Sequence, residues 1–326
     1  MTEAGTLSID VQLTTDDLRS ALVEDARSGL GSEPKCLSPV WFYDERGSGL
    51  FDAITRLPEY YLTRAERRLL IDNARDIAEG AAPDTLVELG AGTCEKTRVL
   101  LDAMRDARTL RRYVPLDVSD VTLWEAATAL AEDYDGLAVH AVVGDFLRHV
   151  EKVPSEGRRM IAFLGSTIGN LDPEQRRKFL FDLDCVMTHG ETLLLGTDLV
   201  KDPQRLLAAY DDAAGVTAAF NKNVLLVLNK ELGADFDPSR FEHVARWDED
   251  ESRIEMRLRS TEEQVVRVSG LDMSVRFGDG EEMRTEISSK FTREGIGAEL
   301  YESGFEVQAM WEDPEGFLLT LATPYC

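Results

Sequence analysis

Five short apolar runs, each followed by a stretch of helical periodicity, fill positions 85–196 and leave this chain few ways to fold. The runs are Thr85 to Gly90, Tyr113 to Leu116, Ala138 to Val143, Met160 to Leu164 and Thr192 to Gly196. Between them apolar residues recur every three or four positions, as in Val99, Leu100, Ala103 and Met104, and over Val121 to Glu132 and Pro173 to Met187. Strand followed by helix, repeated, predicts a parallel, doubly wound α/β sheet. The end of the chain breaks the pattern. A helix around Arg293 to Ser303 leads into Phe305 to Met310 and Phe317 to Ala322, joined by a turn containing Asp313, Pro314 and Gly316; this reads as an antiparallel hairpin.

Five parallel strands closed by a C-terminal antiparallel hairpin are the sheet of a class I methyltransferase, whereas a dinucleotide-binding sheet normally stays parallel. The stretch from about Lys201 to Ser289 interrupts that sheet. It holds a helical region, Pro203 to Asn221, and strands at Glu242 to Trp247, Arg253 to Ser260, Glu263 to Val268 and Met273 to Phe277, with Gly278, Asp279 and Gly280 as a turn. The expected division is a cofactor-binding domain of residues 65–200 and 290–326 and an α+β substrate-binding domain of residues 12–64 and 201–289. At 326 residues and 43% hydrophobic content, each can bury its own core.

The net charge of −25 disfavours a nucleic-acid substrate. Four scattered cysteines (Cys36, Cys94, Cys185, Cys326) and four scattered histidines suggest neither a disulfide framework nor a metal site. The start of the chain lacks a leader pattern and no run is long enough for a membrane span. A cytoplasmic monomer acting on small molecules without a metal is expected.

The first strand runs into Glu88, Leu89, Gly90, Ala91, Gly92 and Thr93, two glycines where backbone can approach a ligand closely. Asp117 and Asp145 each end a later strand, on the edge where open α/β sheets bind ligands. Asp117 is placed to accept from two ribose hydroxyls, and Asp145 from an adenine amino group, with Phe146 packing on the ring. Both acids also suit helix N-caps. Glu95 stands where a dinucleotide fingerprint needs a third small residue, which disfavours a pyrophosphate. S-adenosylmethionine (SAM) carries a sulfonium and an amino-acid tail instead, and Lys96, read as just inside the next helix, can pair with the tail carboxylate.

Longer matches then stand out: Trp41 to Asp44, Leu50 to Asp52, Leu57 to Tyr61 with Thr63 and Arg64, Glu88 to Thr93 with Glu95 to Thr97, Phe163 to Asn170, Gly196 to Asp202, Ala209 to Thr217, and Glu281 to Met283 with Thr285, Glu286, Ser288, Lys290 and Phe291. On these, nearly the whole chain resembles the histidine-specific Nα-methyltransferases of ergothioneine biosynthesis. The resemblance implies transfer of three methyl groups from SAM to the α-amine of L-histidine, giving hercynine and S-adenosylhomocysteine. It implies that Tyr60, Asn170 and Tyr210 hold the backbone end of the amino acid, Glu286 and Ser288 the imidazole, that Tyr43 lies near the amine and that Met256 lines the side-chain pocket. It also places Gly90, Lys96, Asp117, Asp145 and Phe146 on the cofactor. Tyr43 and Tyr60 would attend the reacting amine as catalytic residues. An N-methyltransferase of another aromatic amino acid or amine, or a non-catalytic sensor of SAM or an amino acid, are the alternatives.

Overall fold

The computed structural model describes residues 6–325; Met1 to Gly5 and Cys326 lie outside the described residues. In chain order the strands are β1 (Leu7–Val11), β2 (Thr85–Leu89), β3 (Arg112–Asp117), β4 (Ala138–Val143), β5 (Arg159–Phe163), β6 (Thr192–Asp198), β7 (Phe241–Asp248), β8 (Arg253–Ser260), β9 (Gln264–Val268), β10 (Met273–Phe277), β11 (Glu282–Ser289), β12 (Phe305–Asp313) and β13 (Phe317–Pro324). The helices are α1 (Thr15–Gly31), α2 (Glu45–Thr55), α3 (Leu62–Ala81), α4 (Arg98–Asp106), α5 (Asp120–Asp133), α6 (Phe146–His149), α7 (Pro173–Val186), α8 (Pro203–Tyr210), α9 (Val216–Leu232) and α10 (Arg293–Glu302). The chain divides into two compact units. One takes in the residues up to Leu13, Leu62–Val200 and everything from Phe291; the other is Thr14–Tyr61 with Lys201–Lys290.

The first unit is built on one sheet of order β1-β4-β3-β2-β5-β6-β13-β12. Strands β2 to β6 pair in parallel. β13 joins β6 antiparallel, and β12 completes the hairpin. The sheet also has a sixth parallel strand, β1, alongside β4 with Leu7 opposite Val139 and Val11 opposite Val143, where five parallel strands are expected from sequence. β1 is an edge strand: Leu7 and Ile9 are half-buried while Ser8 and Asp10 face solvent. β2 and β5 are buried along their whole length, as parallel strands covered on both faces must be. On one face Val87, Val114, Ile161, Phe163 and Leu195 pack with Phe179, Leu180 and Leu183 of α7 and with Ile296 and Leu300 of α10. The strand order reverses between β2 and β5, so a ligand crevice is expected outside their carboxyl ends.

The second unit contains a three-stranded antiparallel sheet, β11-β8-β7, and the β10-β9 hairpin. The helical region expected over Pro203 to Asn221 consists of two helices, α8 and α9, the second running on to Leu232. They separate because Gly215 adopts φ +74° and the Asp212 carboxylate accepts the amide hydrogens of Val216 and Thr217, restarting the helix. On one face of α9, Phe220, Val224, Leu228 and Leu232 are buried. A bulge in β11 between Arg284 and Glu286 shifts the register, leaving Glu286 opposite Met256 and Ser288 opposite Ile254. No helix among the described residues is long and apolar enough to cross a membrane.

Candidate active site

In the first unit, β2 ends at Leu89 and the chain turns through Gly90 at φ +70° and Gly92 at φ +51°. Both values lie where side chains are strained, and a Cβ on either residue would meet nothing within 4 Å. The glycines therefore leave open space above bare backbone. Asp117, ending β3, fixes that turn: one oxygen accepts the Gly92 amide at 2.9 Å and the other the Ser119 amide at 3.0 Å. Each oxygen keeps a second lone pair for a ligand hydroxyl. Burial pushes the Asp117 carboxyl above its usual range.

Asp145 is the N-cap of α6, accepting the Leu147 amide at 2.9 Å, with the Arg148 guanidinium 3.8 Å from its other oxygen. Phe146 leans into the core, its ring 5.0 Å from Phe163 and 5.6 Å from Phe179, yet it stays half-buried. Asn170 closes the 3-10 turn Thr167–Asn170 after β5, entered through Ser166 at φ +57°. It belongs to this unit, whereas the other residues expected on the amino acid belong to the second.

Lys96 corrects the sequence reading: α4 begins at Arg98, so Lys96 stands in the turn before the helix. Its ammonium donates to the fully buried carboxylate of Glu66 on α3. The other Glu66 oxygen accepts the Gly165 amide at 2.6 Å. A side chain at position 196 would put its Cβ 2.3 Å from this carboxylate, which is why β6 carries Gly196 there. Glu66 thus ties the glycine turn to the loop after β5, the two ends flanking the reversal in strand order. Sequence spacing did not reveal it.

Beneath the turn, Glu88 receives the Tyr113 hydroxyl at 2.5 Å, and that hydroxyl also lies 3.2 Å from the Cys94 sulfur. Burial, only partly offset by hydrogen bonds, pushes the Glu88 carboxyl up to about 7. The same burial, followed by the nearby Glu88 charge, raises the Cys94 thiol.

In the second unit, an aromatic chain assembles three of the expected residues. Tyr43 packs edge-on against Phe51 (5.6 Å) and Phe220 (5.5 Å), Phe51 against Tyr60 (6.2 Å), and Tyr60 against Tyr210 (6.3 Å). Tyr60 and Tyr210 are buried, while Tyr43 is 37% exposed at the rim. The Tyr210 hydroxyl lies 2.7 Å from that of Ser288. Glu286, half-buried, is two residues before Ser288 on β11 and so on the same face, with Met256 opposite it in register and buried. The acids beside it serve otherwise: Glu282 bonds Arg257 and Arg259, and Glu281 pairs with Lys35.

Behind this face runs a directional network. His243 Nε2 lies 2.8 Å from the Tyr210 carbonyl, and Nδ1 2.8 Å from the Asn221 amide nitrogen. The Asn221 oxygen accepts from Thr285 at 2.6 Å. The only consistent assignment is Nε2–H donating and Nδ1 accepting, a neutral imidazole. Burial lowers the His243 pKa accordingly. Thr285 is the extra residue of the β11 bulge, so the network holds both the end of α8 and the register of Glu286 and Ser288.

A parallel sheet closed by an antiparallel hairpin, with a glycine turn and acids at the carboxyl strand ends, defines a class I methyltransferase. The solved S-adenosylmethionine-dependent methyltransferase from Clostridium acetobutylicum shares that fold, with a TM-score of 0.50 at 13% identity over 85% of this chain and 99% of that one. The chain belongs to the histidine-specific, SAM-dependent methyltransferase family, whose profile matches residues 22–323. It is 56% identical to the histidine N-alpha-methyltransferase of Mycolicibacterium smegmatis over 97% of this chain and 99% of that protein. It is 53% identical to the protein of that name from Mycobacterium tuberculosis, over the same shares of each chain. Ergothioneine biosynthesis protein 1 of Neurospora crassa is 33% identical over 61% of this chain and 23% of its own length.

Proposed function

We propose that this enzyme is the L-histidine Nα-methyltransferase of its source, moving three methyl groups in turn from SAM to the α-amine and releasing hercynine for ergothioneine biosynthesis. The observation that carries this reading is the pairing of Glu286 and Ser288 on one face of β11, beside Tyr210 and above buried Met256. It is joined to high identity with proteins named for that activity. A carboxylate and a hydroxyl two residues apart on a strand suit a ring with two nitrogens; an indole or a phenyl ring would leave at least one of them unpaired.

SAM supplies an electrophilic methyl group on a sulfonium, which needs neither a covalent enzyme intermediate nor a Lewis acid. The open space over Gly90 and Gly92 fits its close approach, and the spare lone pairs of Asp117 fit its ribose. Asp145 would take the adenine amino group while capping α6, with Phe146 against the ring. Lys96 keeps two ammonium hydrogens beyond the one given to Glu66, enough to take the tail carboxylate as well. S-adenosylhomocysteine leaves from the same residues.

At the amino acid, Tyr60, Tyr210 and Asn170 hold the backbone end. An α-amine is largely protonated at neutral pH and must lose a proton before attack. Burial among Tyr60, Phe51 and Tyr210 lowers its pKa so that the proton passes to solvent, and the Tyr43 and Tyr60 hydroxyl oxygens accept hydrogen bonds from the amine and orient it. As methyl groups accumulate the nitrogen becomes a fixed cation, which the same ring faces stabilise. The reaction proceeds in the cytoplasm, on small molecules, in a monomer. A panel of amino acids tests the reading: kcat/KM for histidine exceeds that for tryptophan, tyrosine and phenylalanine by on the order of 10³ or more, and comparable values would overturn it.

A further inference from the structure

Glu66 is a fully buried acid on α3, and its two oxygens are committed to two different segments. One accepts the Gly165 amide at 2.6 Å in the loop after β5; the other accepts from the Lys96 ammonium in the turn before α4. That ammonium also lies beside the loop, since a Cβ added at Gly165 would stand 3.5 Å from Lys96 Nζ. The Lys96 side chain is 26% exposed, whereas that of Glu66 is wholly covered. An ammonium carries three hydrogens in fixed tetrahedral directions. With one of them anchored on a buried carboxylate, the remaining two point away from Glu66, toward the exposed side of the turn. A lysine stem without such an anchor samples many rotamers and carries its charge out to water.

We propose that Glu66 is a positioning residue for the amino-acid tail of SAM: it seats the Lys96 ammonium so that the two remaining hydrogens meet the tail carboxylate, without touching the cofactor itself. This rests on the reading of Lys96 given above and deepens it. The tail is a zwitterion, so removing the Glu66 charge favours its carboxylate and disfavours its ammonium together; the position of Lys96 decides the outcome. In E66Q the amide oxygen still accepts from Gly165, but the amide nitrogen then faces the ammonium, donor against donor, and unseats it. The adenosine half of the cofactor, assigned above to Asp117 and Asp145, does not depend on this seat.

Two thioether ligands that differ in the tail test the role: S-adenosylhomocysteine, which has it, and 5′-methylthioadenosine, which lacks it, each titrated into the full chain by calorimetry. K96M and E66Q each weaken S-adenosylhomocysteine by about tenfold or more and leave 5′-methylthioadenosine within about threefold of the wild type. The double variant binds S-adenosylhomocysteine no more weakly than K96M alone, within about threefold, because Glu66 acts through Lys96. A general loosening of the fold would weaken both ligands alike, and an effect through the Gly165 loop alone would persist in the K96M background. Equal losses for the two ligands, losses that multiply in the double variant, or an E66Q affinity for S-adenosylhomocysteine within about threefold of the wild type would overturn the proposal. Should E66Q fail to fold, E66D decides. It keeps the charge but is one methylene too short to reach both partners, so it too weakens S-adenosylhomocysteine selectively, and wild-type affinity in E66D refutes the role. A K96M variant that binds S-adenosylhomocysteine as the wild type does would instead sink the reading of Lys96 itself, a distinguishable result.

Discussion

The two units present their functional groups by opposite means. In the parallel-sheet unit the groups sit at strand ends: Gly90 and Gly92 follow β2, Asp117 ends β3, Asp145 follows β4, and backbone amides do much of the fixing. In the other unit side chains hold side chains: Tyr43, Phe51, Tyr60 and Tyr210 prop one another, and Tyr210, Ser288 and Lys290 share hydrogens. Backbone-fixed sites accept a ligand common to many enzymes. Side-chain networks can be retuned residue by residue, which suits the substrate-binding role proposed for this unit.

The largest expected effect sharpens the contrast through pH. Glu88, raised from 4.5 to about 7, binds its proton more tightly folded than unfolded. Its contribution to stability is therefore complete below about 4.5 and is lost as pH rises through about 7, a change of ~3 kcal/mol. Denaturant unfolding of Glu88→Gln, which keeps an acceptor for Tyr113, should omit that loss; parallel pH curves for variant and wild type contradict it. Next comes Asp117→Ala, which removes two charge-assisted acceptors and should weaken SAM by roughly 100-fold in calorimetry. A change under about threefold would show that Asp117 serves the turn alone. Glu286→Ala should then raise the histidine KM by roughly 30-fold with SAM affinity unchanged, whereas equal loss of both would make the residue structural.

The smallest effect carries the opposite sign from the first. His243 has its pKa lowered by burial, so its contribution is present above about 6.5 and is lost as pH falls through the lowered folded value. Protonation would set an Nδ1–H against the Asn221 amide. The difference in stability between His243→Gln and wild type should thus change on acidification, while Glu88→Gln diverges on the alkaline side. If both variants diverge in the same direction, the contrast between the units fails.

The same contrast explains what was legible in the sequence. Strand-end acids and the glycine turn are local signals, readable because a continuous apolar run passes into a helical period within a few residues. The closing hairpin was legible for the same reason. β1 escaped notice although Leu7, Ser8, Ile9 and Asp10 alternate, because a short edge strand with one half-buried face carries little apolar signal. The break between α8 and α9 had a visible cue in Asp212 and Gly215. Glu66 had none: its partners Lys96 and Gly165 lie 30 and 99 residues away. Lys290 meets Tyr210 across 80 residues, and only a fold brings them together. Glu286 and Ser288 sat on an extended segment in plain view, but their chemistry was distinguished from an ordinary charged strand only by the family resemblance.

The central claim is tested most directly by incubating the purified chain with SAM and L-histidine and following the products by mass spectrometry. The account predicts successive appearance of mono-, di- and trimethylated histidine, with the methyl groups on the α-nitrogen and hercynine as the end point. Methylation on the imidazole, or no methylated histidine while SAM still binds, would contradict it.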